Sequence, residues 1–154
     1  MTFPRLFVYL LLAILSATFC SAQVRKVEMK KVSGVYTVPC KVNQIPMDFI
    51  FDTGASGISL SKEAAMMLVG KGAIREEDVL RKEYYRIANG DVVEGMVIRL
   101  RSFDIAGVRI MNVEASVSLS MQAPLLLGTD ILERFGKVTV DYDHELLLLG
   151  EDTN

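Results

Sequence analysis

Phe49-Ile50-Phe51-Asp52-Thr53-Gly54-Ala55-Ser56 is the stretch that decides the fold. An apolar run delivers one carboxylate, Asp52, to a glycine turn, with a hydroxyl beside it at Thr53. A carboxylate that activates water needs this setting: a rigid strand holds it still, and a residue without a side chain lets another backbone come close. Immediately upstream, Val35–Val42 alternates, Asn43-Gln44 turns, and Ile45–Phe51 alternates again with Ile45, Met47, Phe49 and Phe51 on one face. Pro46 has no N–H to donate, which puts the start of this second strand near a sheet edge.

Downstream, Ser61 is placed to cap a short helix over Lys62–Val69 that Gly70 stops, and Glu76–Arg81 reads as another helical turn or two. Strand character returns at Tyr84–Ala88, and Asn89-Gly90 is a hairpin signal before Val92–Leu100. Phe103–Ile105, a turn at Ala106-Gly107 and a long alternating run Val108–Leu119 follow, with Val113, Ala115, Val117 and Leu119 on one face. Next come Leu125-Leu126-Leu127-Gly128, a short helix from Asp130 to Arg134, and a closing hairpin of Lys137–Asp141 with Glu145–Leu149. Leu146–Leu149 reads as a fully buried strand, a candidate for an interface between copies, because a terminal edge needs cover. With no linker or repeat, the expected fold class is mainly β: a closed or partly closed barrel with one or two short helices.

The first 22 residues stand apart. Arg5, the apolar run Leu6–Ala17 and the small residues Ser21-Ala22 form the pattern of a signal peptide, shorter than the ~20 apolar residues that span a bilayer. The expected division is therefore a signal peptide over 1–22, an N-terminal arm over 23–32, the folded domain over 33–150 and a tail over 151–154. Residues 23–154 carry 16 basic against 19 acidic side chains, a charge of −3 that gives no reason to expect nucleic acid. The basic cluster Arg25, Lys26, Lys30, Lys31 is read as a solvated arm. Cys40, alone after the signal segment, falls on the face of Tyr36, Val38 and Val42 as a buried thiol. With one His and one remaining Cys, a metal site is discounted and no cofactor is expected.

Ile50-Phe51-Asp52-Thr53-Gly54-Ala55-Ser56, the Asn89-Gly90 hairpin some 35 residues on, and Leu125-Leu126-Leu127-Gly128-Thr129-Asp130-Ile131-Leu132 together resemble a retropepsin-like aspartic protease, and more narrowly its exported bacterial members. The resemblance spans roughly Ser33 to Gly150. It implies an aspartic-type endopeptidase with one lobe per chain and Asp52 as the catalytic residue. The loop Thr53, Gly54, Ala55, Ser56 would support it, with Thr53 bracing across a dimer axis and Ser56 orienting the outer oxygen of Asp52. It implies a second motif at Leu126, Leu127, Gly128 beside that loop, and a substrate-covering flap at Ile87, Ala88, Asn89, Gly90. Since Asp-Thr-Gly occurs once, a carboxylate pair requires a homodimer. The expected partners are a second copy and a peptide or protein substrate. Neither nucleic acid nor a membrane is expected once the signal segment is cleaved from the exported, periplasmic or secreted chain.

Two positions depart from viral retropepsins, which carry an acidic residue where Ser56 stands and an arginine where Thr129 stands. Both members of that ion pair are hydroxyl residues here, so neither leaves an unpaired buried charge. Ile87, Val92 and Leu125 are candidate specificity residues. The rival readings are a catalytically silent peptide-binding or dimerisation module, and a protease acting only on itself or one dedicated partner. Asp52 taken alone also suits an Asx-turn. His144 reads as a solvated turn residue, and Met66, Met67 and Met121 as core fillers.

Overall fold

The computed structural model describes residues 24–86 and 90–150. Ile87, Ala88 and Asn89 of the expected flap, the segment 1–22 and the tail 151–154 lie outside the described residues. The two alternating segments around the Asn43-Gln44 turn form strands β3 (Val35–Val42) and β4 (Ile45–Phe51), paired antiparallel from Thr37↔Ile50 to Val42↔Ile45. Asn43 and Gln44 both take positive φ, as a tight turn requires. Val38, Cys40, Val42 and Phe49 are buried, so the period-two pattern is burial against the core. Pro46 opposes Lys41 of β3; on its other side, among the described residues, β4 is paired only at Ile50 and Phe51, which leaves Pro46 on an edge.

The N-terminal basic segment is not a loose arm. It forms β1 (Arg25–Glu28) and β2 (Lys30–Val32), with Val27 and Met29 buried and the four basic side chains exposed. The charges do face water, but the backbone between them is used for pairing. Further on, β5 (Ile58–Leu60) leads into α1 (Lys62–Gly70), where Ser61 Oγ accepts the Ala64 N–H at 3.0 Å. Gly70 lies inside the helix; the chain leaves it at Lys71 and Gly72, whose φ of +67° only glycine adopts easily. Ala64 and Leu68 face inward, one turn apart, which turns Met66 outward.

Glu76–Arg81 is not helical beyond one 3₁₀ turn, Glu76–Asp78; β6 (Val79–Arg86) begins at once. Its pairing along β7 (Val92–Ile105) from Val79↔Ile98 to Arg86↔Val92 overrides the local helical bias. The two strands read separately in the sequence are one 14-residue strand, β7, continuing by a tight turn into β8 (Val108–Ser118). Leu119 falls past the end of β8 and is exposed, unlike Val113, Ala115 and Val117. The chain closes with β9 (Leu126–Leu127), α2 (Thr129–Glu133), β10 (Val138–Asp141) and β11 (Leu146–Leu149).

Eight strands run in the order β2-β3-β4-β9-β5-β8-β7-β6, and an added pairing of β3 with β7 bends the sheet into a partly closed ring. Inside it, Phe49 and Phe103 meet edge to face at 5.4 Å among Val38, Val42, Leu100 and Ile105. A separate three-stranded sheet, β1-β11-β10, packs Leu147 and Leu149 into the same core. Leu146 and Leu148 are only half-buried, because alternate residues of a strand point to opposite faces.

Candidate active site

The topology makes a loop and places Asp52 on it. Strand β9 lies between β4 and β5, parallel to the first and antiparallel to the second. Residues 52–57 must therefore cross over the end of β9 to join its two neighbours. Leu127 accepts the Asp52 N–H at 3.1 Å, and below the crossing the chain leaves β9 through Gly128. Three backbone hydrogen bonds bind the layers: Gly128 N–H to Gly57 O at 3.0 Å, Thr129 N–H to Ala55 O at 3.0 Å, and Asp130 N–H to Ser56 O at 2.8 Å. A Cβ on Gly128 would come within 2.5 Å of Ala55 O and of Ser56 C, so only glycine fits.

The half-buried Asp52 carboxylate accepts the Gly54 N–H at Oδ1, at 2.8 Å, closing an Asx-type turn. The Asx-turn reading is thus realised, and it fixes one carboxylate oxygen on the loop. A Cβ on Gly54 would sit 3.2 Å from the same oxygen, so the glycine keeps the turn tight. Among the described residues no hydrogen bond joins the Ser56 hydroxyl to Asp52; the bond that orients Oδ1 comes from the Gly54 N–H. The Thr129 hydroxyl donates to Ala55 O at 3.4 Å, bracing the loop.

The structure brings Asp52 and Thr53 to Ser56 together with Leu126, Leu127 and Gly128. Of the expected flap, Gly90 is exposed and φ is +92°, and its carbonyl accepts Arg86 Nη1 at 3.3 Å. Beside the loop opens a cleft of about 620 Å³, floored by small residues and walled on the far side by Arg81, Glu83, Tyr85 and Glu114. Its larger apolar members are Ile58, Val93, Val97 and Leu126; Val92 and Leu125 are each one residue out of register, and alternation turns Val92 to solvent. A second hollow of about 390 Å³ lies on the other side, where exposed Thr53 meets Phe51, Thr129, Leu132, Val138 and Val140.

Sequence reasoning missed the charged wall. Arg81 Nη2 binds Glu114 Oε2 at 2.8 Å and Glu83 Oε2 at 3.4 Å, and the Tyr85 hydroxyl donates to Glu83 at 3.4 Å. The Arg81 guanidinium holds the Glu114 carboxyl below its ordinary range, and burial, then the neighbouring Glu83, pushes the Tyr85 phenol up. His144 sits at the tip of the last hairpin against Asp141, away from Asp52 in the contacts it makes. Its backbone N–H, then its ring, holds the Asp141 carboxyl below the usual range. Met66 and Met121 are exposed rather than core fillers; Met67 packs partly buried against the core.

A model of the family described as "gag-polyprotein putative aspartyl protease" matches residues 38–134, and the chain belongs to that family. The chain is 34% identical over 120 residues to an uncharacterized protein of Rickettsia prowazekii (strain Madrid E), covering 76% of this chain and 47% of that protein. It thus spans about half the length of that relative. Among solved structures, the fold is similar to a retropepsin-like aspartic protease from Rickettsia conorii, with a TM-score of 0.60 and 28% identity, over 84% of this chain and 93% of that one. It also matches the EIAV protease complexed with the inhibitor HBY-793 in fold, with a TM-score of 0.54 and 21% identity over 73% of this chain and 98% of that one. The fold is retropepsin-like.

Proposed function

We propose that the protein is an aspartic-type endopeptidase whose working unit is a homodimer, with Asp52 of each copy sharing one water. The observation that carries this reading is the Asp52 turn: one carboxylate oxygen is fixed by the Gly54 N–H at 2.8 Å on a loop locked to Gly128. Two such carboxylates brought together cannot both ionise cheaply, so they hold one proton between them. The ionised member takes a proton from water as it attacks the peptide carbonyl, and the protonated member donates to the carbonyl oxygen; the two titrate as a pair. Activity is then greatest at mildly acidic pH.

The hollow around Thr53, with Phe51, Leu132, Val138 and Val140, supports a second copy as its occupant. It lies on the loop that carries Asp52 and beside the unpaired edge of β10, so a twofold axis there would bring the two loops together. The sequence of residues 1–22 supports export before the enzyme acts. Subunit mixing tests the shared site: inactive Asp52→Asn protein is added in excess to a fixed amount of active chain and allowed to exchange. Activity that falls toward zero as mixed dimers form is the expected result; activity that stays constant overturns the shared site.

A further inference from the structure

The cleft beside the Asp52 loop mixes apolar side chains such as Ile58, Val93, Val97 and Leu126 with charged and hydroxyl ones. Alternation brings Arg81, Glu83 and Tyr85 of β6 to one sheet face, opposite Val97, Gly95 and Val93 of β7. Ser116 and Ser118 of β8 continue that face, and Ser59 of β5 lies beside Ser116. The row Ser59, Ser116 and Ser118 hollows out a floor because none of these side chains rises far above the backbone. Gly95 shapes the wall. A Cβ there would come within 2.6 Å of the Tyr85 ring, so the glycine allows that ring to lie across β7 as a wall of the cleft.

Charge around this floor is unevenly committed. Glu83, Glu114 and Asp130 line the cleft against Arg81 and Arg86. Arg81 is occupied by both glutamates, at 2.8 Å and 3.4 Å, and Arg86 binds the Gly90 carbonyl at 3.3 Å. Asp130 is exposed at the loop side, its only side-chain contact among the described residues being the Thr129 hydroxyl at 3.5 Å. Among the described residues, Arg81 is shared between Glu114 and Glu83, Glu83 is held by bonds of 3.4 Å, and Asp130 lines the cleft with no ion pair. The face of the Tyr85 ring favours a cation as well.

We propose that this cleft selects substrates carrying an arginine or lysine beside the scissile bond, its head group drawn by the Glu83 and Asp130 carboxylates that line the cleft and by the Tyr85 ring. This rests on the endopeptidase reading and adds the substrate class. A long stem can lie over the low floor against Val93 and Val97, and an acidic side chain would meet an excess of carboxylates. The preference belongs to this chain's own residues, through Glu83 and Asp130 as specificity-determining side chains.

The test uses one set of peptides that differ at a single position flanking the bond: arginine, lysine, norleucine or glutamate. Two readouts are taken, kcat/KM with the active protein and binding by fluorescence anisotropy with Asp52→Asn. The expected result is a basic-over-norleucine ratio of about two- to fivefold at one position, the worth of one partly exposed charge pair. That ratio falls toward one in Glu83→Gln/Asp130→Asn, and also in about 0.5 M salt, which screens exposed charges. A ratio of two substrates on one sample is independent of the fraction of protein that folds. Preference for norleucine or glutamate, or a basic preference unchanged in the double variant, overturns the inference. Basic-selective binding without cleavage by the active protein supports the cleft assignment and overturns the protease reading; cleavage without charge preference does the reverse.

Discussion

Gly128→Ala is the substitution to which this architecture is most exposed. The added Cβ would lie 2.5 Å from Ala55 O, 2.5 Å from Ser56 C and 2.6 Å from Ser56 O, where ordinary contact is 3.4–4 Å. All three atoms are backbone, so no side chain can swing away; the loop itself must lift by roughly 1 Å. Lifting it strains the bonds from Gly128, Thr129 and Asp130 to Gly57, Ala55 and Ser56. Overpacking costs about 1–3 kcal/mol and each weakened bond adds up to about 1 kcal/mol, so the expected loss is about 3 kcal/mol. For a domain of this size that lowers Tm by about 10 °C. Thermal unfolding followed by circular dichroism reads it directly, with Gly70→Ala as the matched control. Nothing lies within 4 Å of a Cβ at Gly70, in the last turn of α1, so there alanine leaves Tm unchanged or raises it. A Gly128→Ala protein melting within about 2 °C of the parent would refute the packing argument.

Ser61→Ala removes the hydroxyl that accepts the Ala64 N–H at the start of α1, at an expected cost of about 1 kcal/mol in denaturant unfolding; Ser61→Asp should recover most of it. Cys40 is buried, and burial, then the charge of Asp48, pushes its thiol up. Thiol reagents at about pH 8 should therefore label it only as fast as the protein opens, and prompt labelling in native buffer would contradict the burial. The sign for stability follows: the folded state holds the thiol proton more tightly, so this contribution is complete below about pH 8.5 and is lost as pH rises further.

The sequence revealed those parts of the fold in which each strand buries one face by itself. β3 and β4 alternate around a turn whose residues accept positive φ, and Asp52 falls where β4 ends, so the loop could be read before any pairing was known. The first half of β6, before Tyr84, could not be read in the same way. Its residues are mostly exposed on both faces, leaving no period, and the acidic run Glu76–Asp78 imitates a helix start; only pairing with β7 makes it a strand. In the N-terminal segment, Val27 and Met29 alternate between charges, a strand signal outweighed by the basic count. The charged wall of the cleft had no local signature, because Arg81 and Glu114 are 33 residues apart and meet only through β6, β7 and β8. The steric need for Gly128 was equally hidden: spacing pointed to the motif, but the crossing of loop over strand gives the reason.

The most direct test of the central claim is cleavage of a diverse peptide mixture by the purified protein and by Asp52→Asn, compared by mass spectrometry from about pH 4 to 7. The account predicts cleavage by the parent protein, strongest at the acidic end, and none by the variant. Equal cleavage by both, or no cleavage by a parent protein that is folded and dimeric, would contradict it.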